Sequence, residues 1–283
     1  MTQTIASNIS RNKLFKDARD FQIIWLSIFL LYGVWFLQWD NYAAYAVLIG
    51  TSIITQLFGG YLLNIPKSSL KSAVITALSL CLIFSANSLF TYGLCAVLAI
   101  SSKFLLRLNG KHIFNPSLFG IVFCVLFTGD AWVSPGKWGN EYLLVVFFIA
   151  CALLVLLKVG RIDTSLAFLL TLMAFEFIRT YIYFGDNIWV YLQKFSSGTI
   201  LLFAFFMITD PMTTPKSLKG RIIWGVMIGA LTFYLSNFMQ SYTAPIWALT
   251  IATPFTIILN SIFKGAQFQW IPTHMNLQTQ TKK

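Results

Sequence analysis

The stretch YAAYAVLIGTSIITQLFGGYLL, from Tyr42 to Leu63, runs for 22 residues without a charged side chain. A helix that crosses the hydrocarbon core of a bilayer needs about 20 mostly apolar residues, so this run is long enough to span it. The rest of the chain is similar, since 57% of its 283 residues are hydrophobic and only 10% are charged. Soluble globular domains carry far more charge. The sequence therefore predicts an all-α integral membrane protein.

Ten apolar runs of this kind follow one another along the chain. The predicted spans cover residues 21–37, 42–63, 70–86, 89–106, 116–127, 141–157, 164–183, 196–208, 222–239 and 242–263. This pattern predicts a cytoplasmic N-terminal segment (1–20), a single transmembrane domain (21–263) and a cytoplasmic C-terminal tail (264–283).

The loops between the spans test this count, because Lys and Arg collect on the cytoplasmic side of membrane proteins. With ten spans and both termini inside, 17 of the 20 basic residues are cytoplasmic, and only Lys137, Arg179 and Lys194 are external. A missed span would move every later loop to the other side and destroy this asymmetry. The charge pattern therefore favours ten spans in a bacterial cytoplasmic (inner) membrane.

The two halves of the chain share a similar pattern of capping residues and prolines. The fifth span begins at Asn115 and Pro116, and the tenth begins near Thr243 and Pro245, so each has a capping residue close to a proline. Because five is odd, the second half would be inverted relative to the first, as in many transporters. This shared pattern predicts two inverted five-helix repeats.

The first candidate site is the stretch LNGKHIFNPSLFG (108–120), in which a basic loop turns directly into a span. The free N–H groups at a helix N-terminus suit a phosphate or another anion, and Lys111, His112 and Arg107 lie nearby in sequence. A capped helix with basic cytoplasmic flanks explains the same residues. The candidate binding residues here are Lys111, Asn115 and Pro116.

The second candidate site is the stretch SSGTILLFAFFMITDPMTTP (196–215). Its small residues would let a helix or a flat ring approach closely, and a carboxylate at Asp210 could hold a hydroxyl or a ring N–H. A helix cap followed by a tight turn is the structural alternative. The candidate binding residues here are Ser197, Gly198, Thr209, Asp210 and Pro211.

Glu176 lies well inside the predicted seventh span, three residues before Arg179. Residues at this spacing share a helix face, so the two side chains are expected to pair. A carboxylate inside a membrane is costly and is a candidate for an ion or proton path. A neutralised structural pair explains the residue equally well.

Several classes of chemistry find no support in the sequence. The histidines, His112 and His274, both lie in polar segments, which argues against a haem held at membrane depth. The four cysteines fall inside apolar runs without metal-ligand spacing and are predicted to be core residues. No nucleotide-binding loop or hydrolase motif is present, and no catalytic residue or metal site is predicted.

Both candidate stretches resemble motifs of one family. NGKHIFNPSLFG resembles the G-x-N-x-F-N-P-A segment, and SSGTILLFAFFMITDP resembles the S-G-x-x-x-x-x-F-M-x-T-D-P segment, of the RnfD/NqrB family of membrane flavin redox subunits. KHIFNPSLFG followed by SPGKWGN is most similar to a short branch that includes the enediyne-cluster UnbU-type membrane proteins. The family's ten-span architecture agrees with the topology derived from charge.

This resemblance implies a membrane electron-transfer subunit that binds flavin (FMN or riboflavin) and couples electron transfer to cation transport. Family members attach FMN to the threonine of an S-G-A-T type sequence, which the loop after the fifth span lacks here. Flavin is therefore expected to bind non-covalently. The expected partners are membrane lipid and other redox subunits or a soluble electron donor, without nucleic acid. A small-solute transporter or channel and a non-catalytic scaffold subunit remain alternatives.

Overall fold

A computed structural model describes residues 17–64, 69–108, 111–134, 160–195, 198–266 and 268. The described residues are mainly helical. The helices are α1 (Ala18–Trp35), α2 (Tyr42–Leu62), α3 (Leu70–Ile83), α4 (Leu89–Leu105), α5 (Pro116–Phe127), α6 (Ile162–Phe177), α7 (Ile188–Phe195), α8 (Gly198–Leu202), α9 (Leu218–Asn237), α10 (Ala244–Ala252) and α11 (Phe255–Ile262).

Three continuous helical segments within the described residues are long and apolar enough to cross a membrane, namely Tyr42–Leu62, Ile162–Tyr183 and Leu218–Asn237. Two bent pairs raise this number to five if each pair forms one span. The chain is therefore a multi-pass helical membrane protein. The predicted sixth span, 141–157, lies outside the described residues, and the count of ten stays a prediction.

One predicted span is broken in the structure, and a bend lies at the start of another. Around the predicted eighth span, α7 and the helix Ile200–Met207 meet at 58°, and in the tenth span α10 and α11 meet at 49° beside Pro254. Proline removes a backbone donor and bends helices, which explains the second break. The helix α7 itself falls in a segment that the sequence predicted as an external loop.

Two helices also widen into π-helical turns. The segment Ile178–Tyr183 continues α6, and Phe203–Met207 continues α8. Such turns are rare and occur frequently at functional sites. The second turn is buried along its whole length and lies in the centre of the molecule, where Phe206 meets Phe29 of α1 edge to face.

Close helix packing depends on glycines at helix contacts. In α9, an added Cβ at Gly225 would lie 2.9 Å from the carbonyl oxygen of Thr164, and one at Gly229 would lie 2.9 Å from that of Phe168. In α5, a Cβ at Gly120 would lie 2.6 Å from the carbonyl oxygen of Cys95. Small residues allow backbones to approach in membranes, so α9 packs on α6 and α5 packs on α4.

In the part of the chain that the structure describes, four short strands connect the helices. The strand β1 (Phe84–Ala86) pairs antiparallel with β4 (Ala131–Val133), and β2 (Arg107–Leu108) pairs antiparallel with β3 (Lys111–His112). The first pair replaces the predicted C-terminal end of the third span. The pairing of β2 with β3 folds the basic loop back on itself just before α5 begins.

Candidate functional site

A polar cavity of about 200 Å³ lies where α1 to α5 meet the segment that follows α8. We call it the basic cavity, because its lining within the described residues includes Arg19, Lys103 and Arg107 but one carboxylate, that of Asp210. Its apolar wall is formed by Ile75, Phe104, Phe206 and Met207.

Asn115 and Pro116 form one edge of the basic cavity. Asn115 caps α5, because its side-chain Oδ1 accepts a hydrogen bond from the backbone N–H of Leu118 at 3.3 Å, and Pro116 follows at the first helical position. The predicted cap is thus confirmed. It points the N-terminus of a 12-residue helix towards the cavity.

Asp210 reaches the same cavity from the other candidate stretch. Its Oδ1 atom accepts the N–H of Met212 at 3.0 Å, and its backbone oxygen accepts those of Thr213 and Thr214. Asp210 therefore caps a single turn beginning at Pro211. The turn does not continue as a helix, and the next helix begins only at Leu218.

Lys103 lines the basic cavity from the last turn of α4. It is only 4% exposed, and its Nζ atom donates to the backbone oxygen of Ser72 at 2.8 Å and to the Ser72 hydroxyl at 3.2 Å. Both acceptors are neutral. Its hydrogen bonds therefore go to neutral groups, and the carboxylate of Asp210 in the same cavity is the negative charge that acts on it.

Two lining residues have unused hydrogen-bonding capacity. Among the described residues, the Nδ1 atom of His112 and the Oε1 atom of Gln56 are buried without a hydrogen-bond partner. Burial, helped by the positive charges of Lys103 and Arg107, lowers the pKa of His112 to about 4. His112 is therefore neutral at physiological pH and can accept a hydrogen bond.

The basic cavity brings together three of the eight predicted binding residues: Asn115, Pro116 and Asp210. Thr209 is turned away, since its buried hydroxyl donates to the backbone oxygen of Phe205 at 2.6 Å, while Pro211 is buried next to Asp210. Ser197 and the side chain of Lys111 lie outside the described residues, and Gly198 is described only as the start of α8.

A second cavity, of about 250 Å³, lies at the opposite end of α3, and we call it the Glu176 cavity. Glu176 accepts a hydrogen bond at 2.6 Å from the Nζ atom of Lys194, which also donates to the Thr180 hydroxyl at 2.9 Å. The side-chain amide of Asn237 donates to the other carboxylate oxygen. The charge of Glu176 is thus balanced within its own cavity.

The predicted pair of Glu176 with Arg179 is wrong. Glu176 instead pairs with Lys194, and the Arg179 guanidinium lies over the rings of Phe184 and Phe238 at 4.9 and 5.2 Å. The physical reason is the π-helical turn that begins at Ile178, because it departs from the regular helix on which the expected pairing depends.

The two cavities approach each other at one side chain. Phe206 lines the basic cavity, Phe203 lines the Glu176 cavity, and Met207 lines both. All three belong to the π-helical turn Phe203–Met207. This turn is therefore the wall between the two cavities.

Sequence reasoning missed the residues that reach the basic cavity from distant helices: Arg19, Gln22, Gln56, Ser72 and Lys103. Polar residues at positions such as Gln56, in the middle of a 22-residue uncharged run, were an available signal. Buried polar groups in membrane helices face the protein interior. The three described cysteines, Cys81, Cys95 and Cys124, are buried as predicted, while Cys151 lies outside the described residues.

Two curated relatives of this chain carry the same name. The chain is 32% identical over 124 residues to the D-type subunit of the ion-translocating oxidoreductase complex of Shewanella frigidimarina, covering 44% of this chain and 33% of that protein. It is 26% identical over 186 residues to the protein of the same name from Methanosarcina acetivorans, covering 59% of this chain and 58% of that one. The chain thus spans about a third to three-fifths of the length of these relatives.

The family model of NQR2, RnfD and RnfE matches residues 126–269. The match covers more than half of the chain and includes Asp210 and Glu176. It begins after Asn115, whose motif led independently to the same family. This chain therefore belongs to the NQR2, RnfD, RnfE family.

Proposed function

We propose that this chain is the membrane electron-transfer subunit of an ion-translocating oxidoreductase complex. It binds a flavin non-covalently in the basic cavity and passes electrons between partner proteins. The observation that carries this proposal is the meeting of two distant motifs in one cavity. Asn115 and Pro116 from the first motif and Asp210 from the second all line it.

The basic cavity offers groups that suit a flavin. Phe206 and Met207 provide apolar contact for a flat ring, and Asp210 provides an acceptor for a ring N–H. Gln56 and His112 each have a buried acceptor atom without a partner among the described residues. Flavin, when bound, supplies a ring that takes up and gives off electrons. The protein's own groups orient that ring and exclude water from one face of it.

The Glu176 cavity is the proposed ion or proton path. Glu176 is 5% exposed, and the Lys194 and Asn237 side chains hold it in place. A proton or a cation that displaces the Lys194 ammonium would be held by the same carboxylate. The π-helical turn containing Met207 separates this path from the flavin, so movement of the turn would connect the two.

We further propose ten spans arranged as two inverted repeats, with both ends of the chain in the cytoplasm of the cell and the spans in the inner membrane. Helix packing in the two halves supports the repeat. In the first half α2 and α5 both pack on α4, and in the second half α6 and α10 both pack on α9. The proposed domain is residues 21–263, flanked by cytoplasmic segments 1–20 and 264–283.

The proposed partners are membrane lipid and other redox subunits or a soluble electron donor. The relatives' name describes them as one subunit of a complex. With a flavin as the cofactor within this chain, electrons must arrive from and leave to other carriers. Co-purification of a tagged chain with flavin- or iron–sulfur-containing subunits would test this partnership.

The test of the flavin proposal is the absorbance spectrum of detergent-purified protein, with the released small molecule identified by mass spectrometry. We expect near-stoichiometric flavin, released on denaturation. Asp210→Asn and Asn115→Ala should each lower the flavin content several-fold. Asn187→Ala is the matched control, because Asn187 also accepts a backbone N–H at a helix start, but lies outside the cavity. A colourless protein that takes up no added flavin would refute the proposal.

Solute transport is the second candidate function. It is favoured by the two cavities that open at opposite ends of α3 and meet at Met207. Alternating access at a central barrier is how inverted-repeat transporters work. Flux of a small solute in proteoliposomes without any redox partner, abolished by Met207→Trp, would support this function over electron transfer.

A further inference from the structure

Two buried cysteines face each other across the contact between α4 and α5. Cys95 lies in α4 and Cys124 lies in α5, and both residues are 0% exposed. Both are free thiols, and their side chains share a hydrogen bond. Neither residue lines the basic cavity or the Glu176 cavity. The flavin site and the ion path therefore leave this pair of thiols without a role.

The direction of the two helices brings the sulfur atoms together. The strand β1, before α4, pairs with β4, after α5, and β2, after α4, pairs with β3, before α5. The two helices are therefore antiparallel. Side chains of a helix lean towards its N-terminus. Cys95 thus leans towards the end of the helix pair where β1 and β4 lie, while Cys124 leans away from that end, and the two thiols converge.

The backbones of α4 and α5 approach closely at the same place. A Cβ added at Gly120 would lie 2.6 Å from the carbonyl oxygen of Cys95 and 3.2 Å from its Sγ atom. Gly120 lies one helical turn before Cys124, and residues at this spacing share one face of a helix. A disulfide requires two Cα atoms about 4.4 to 6.8 Å apart. Only helices in close contact meet this requirement, and the glycine allows that contact.

The position of the pair in the membrane favours oxidation. Cys95 lies within the first two turns of α4, and Cys124 lies in the last turn of α5. In the proposed topology these are the external ends of both helices. Disulfides form and persist on the external side of the bacterial inner membrane and are rare in the cytosol. Because the thiols have no exposed surface, an oxidant has to reach them from within the bilayer.

We propose that Cys95 and Cys124 form a dithiol–disulfide pair that is oxidised by a membrane-soluble quinone. A bond forms between the two Sγ atoms while both S–H bonds break. The two electrons and the two protons pass to the quinone, which becomes the quinol. The disulfide joins α4 to α5 near their external ends. This inference does not depend on the flavin proposal, since the protein holds both thiols with or without a cofactor.

The experiment treats reduced, full-length protein in a neutral detergent with a short-chain ubiquinone analogue. The sample is kept under argon, so that oxygen does not replace the quinone. The protein is then denatured, its remaining thiols are alkylated, and its peptides are mapped by mass spectrometry. We expect one cross-linked peptide pair containing Cys95 and Cys124, two hydrogen atoms lighter than the separate peptides and absent after treatment with dithiothreitol. Quinol should form in an amount of about one per cross-link.

Two serine variants assign the bond to this pair. Cys124→Ser should abolish the cross-link and lower quinol formation to the background of the quinone alone. Cys81→Ser is the matched control, because Cys81 is equally buried but lies in α3, outside this contact. It should keep the cross-link. If Cys124→Ser does not fold, the peptide map of the unaltered protein still decides which cysteines are joined.

Three outcomes would overturn the proposal. Full alkylation of Cys95 and Cys124 after quinone treatment would show that the pair is not oxidised. A cross-link that joins either residue to Cys81 or Cys151 would show that the pairing is wrong. The third arm replaces the quinone with diamide, a water-soluble thiol oxidant. If diamide closes the bond while the quinone does not, the assignment of a membrane-soluble oxidant is wrong.

Discussion

The basic cavity and the Glu176 cavity share one wall but differ in the charge balance of their lining residues. In the Glu176 cavity, Lys194 neutralises the carboxylate at 2.6 Å and Asn237 satisfies its second oxygen. In the basic cavity, Lys103 is buried against neutral oxygens of Ser72. The charge in the Glu176 cavity is neutralised without a ligand, whereas the charge in the basic cavity is not.

Under the proposed function, this difference separates the cavity that binds the ligand from the cavity that carries the ion or proton. An uncompensated buried charge costs stability unless a ligand of opposite charge offsets it. A neutralised ion pair costs less free energy in the absence of a ligand, and its charge balance changes only when the pair is broken. We therefore expect ligands to act mainly on the basic cavity, and changes of protonation or cation occupancy to act on the Glu176 cavity.

The largest expected effect comes from breaking the pair in the Glu176 cavity. Lys194→Met leaves Glu176 buried without its cation and should lower the free energy of unfolding by about 3 kcal/mol. The control is Lys219→Met, because Lys219 is exposed and forms no ion pair among the described residues; it should change the free energy of unfolding by less than about 0.5 kcal/mol. Unfolding in detergent, followed by tryptophan fluorescence, measures both. Similar small losses of unfolding free energy in the two variants would show that Lys194 does not neutralise a buried charge on Glu176.

Glycine substitutions test each cavity's walls separately. Gly120→Ala would place a Cβ 2.6 Å from the Cys95 carbonyl beside the basic cavity, and Gly229→Ala would place one 2.9 Å from that of Phe168 beside the Glu176 cavity. Each should lower the free energy of unfolding by about 2 kcal/mol through overpacking.

Only Gly120→Ala should also lower flavin affinity, because α5 forms the edge of the basic cavity. Gly50→Ala is the control, since no atom outside its helix lies within 4 Å of the new Cβ. It should gain about 0.5 kcal/mol of unfolding free energy. Equal loss of flavin affinity in Gly120→Ala and Gly229→Ala would mean that the two cavities are not independent.

His112 predicts a pH dependence for the basic cavity. Its pKa is about 4 in the folded protein and about 6.5 when unfolded, so the unfolded chain binds the proton more tightly. Stability should therefore fall as pH drops from 7.5 to 5, with about 1 to 2 kcal/mol due to His112. His112→Gln should remove this part of the pH dependence. An unchanged profile in that variant would contradict the burial argument.

The smallest expected effect concerns Thr232 in the Glu176 cavity. Its buried hydroxyl has no partner among the described residues, so Thr232→Val should leave the unfolding free energy unchanged or raise it by about 0.5 kcal/mol. Thr253→Val is the matched control and should lose about 1 kcal/mol, because its hydroxyl donates to the Leu249 carbonyl. A loss in Thr232→Val would reveal a partner for this hydroxyl.

Much of the helical framework could be predicted from the sequence. The predicted fifth span, 116–127, coincides with α5, and the predicted second and fourth spans each differ from α2 and α4 by one residue at the C-terminal end. Strong local signals mark the ends of these helices, either a capping residue with a proline at the start or a polar loop at the end. The bend beside Thr253 was missed although Pro254 marks it, and the helix α7, which ends at Phe195, was predicted as a loop.

The candidate site could be predicted only where a local motif marks it. Asn115 and Asp210 were found because each stands at a polar break beside a proline, while Lys103 looked like one more cytoplasmic lysine. The pairing of Glu176 with Lys194 joins residues 18 positions apart, across a π-helical turn and into a helix that the sequence predicted as a loop.

The sequence by itself determined that this chain lies in a membrane, where α2, α4 and α5 begin and which family it belongs to. The reason is that hydrophobic length, caps and motifs are properties of neighbouring residues. Only the tertiary structure decided which polar groups meet. Which polar side chains contact each other depends on how the helices α1 to α5 converge on residues 206–212. It also depends on the π-helical turn between the two cavities. No local pattern in the chain encodes that convergence, so the charge imbalance of the basic cavity became visible only in three dimensions.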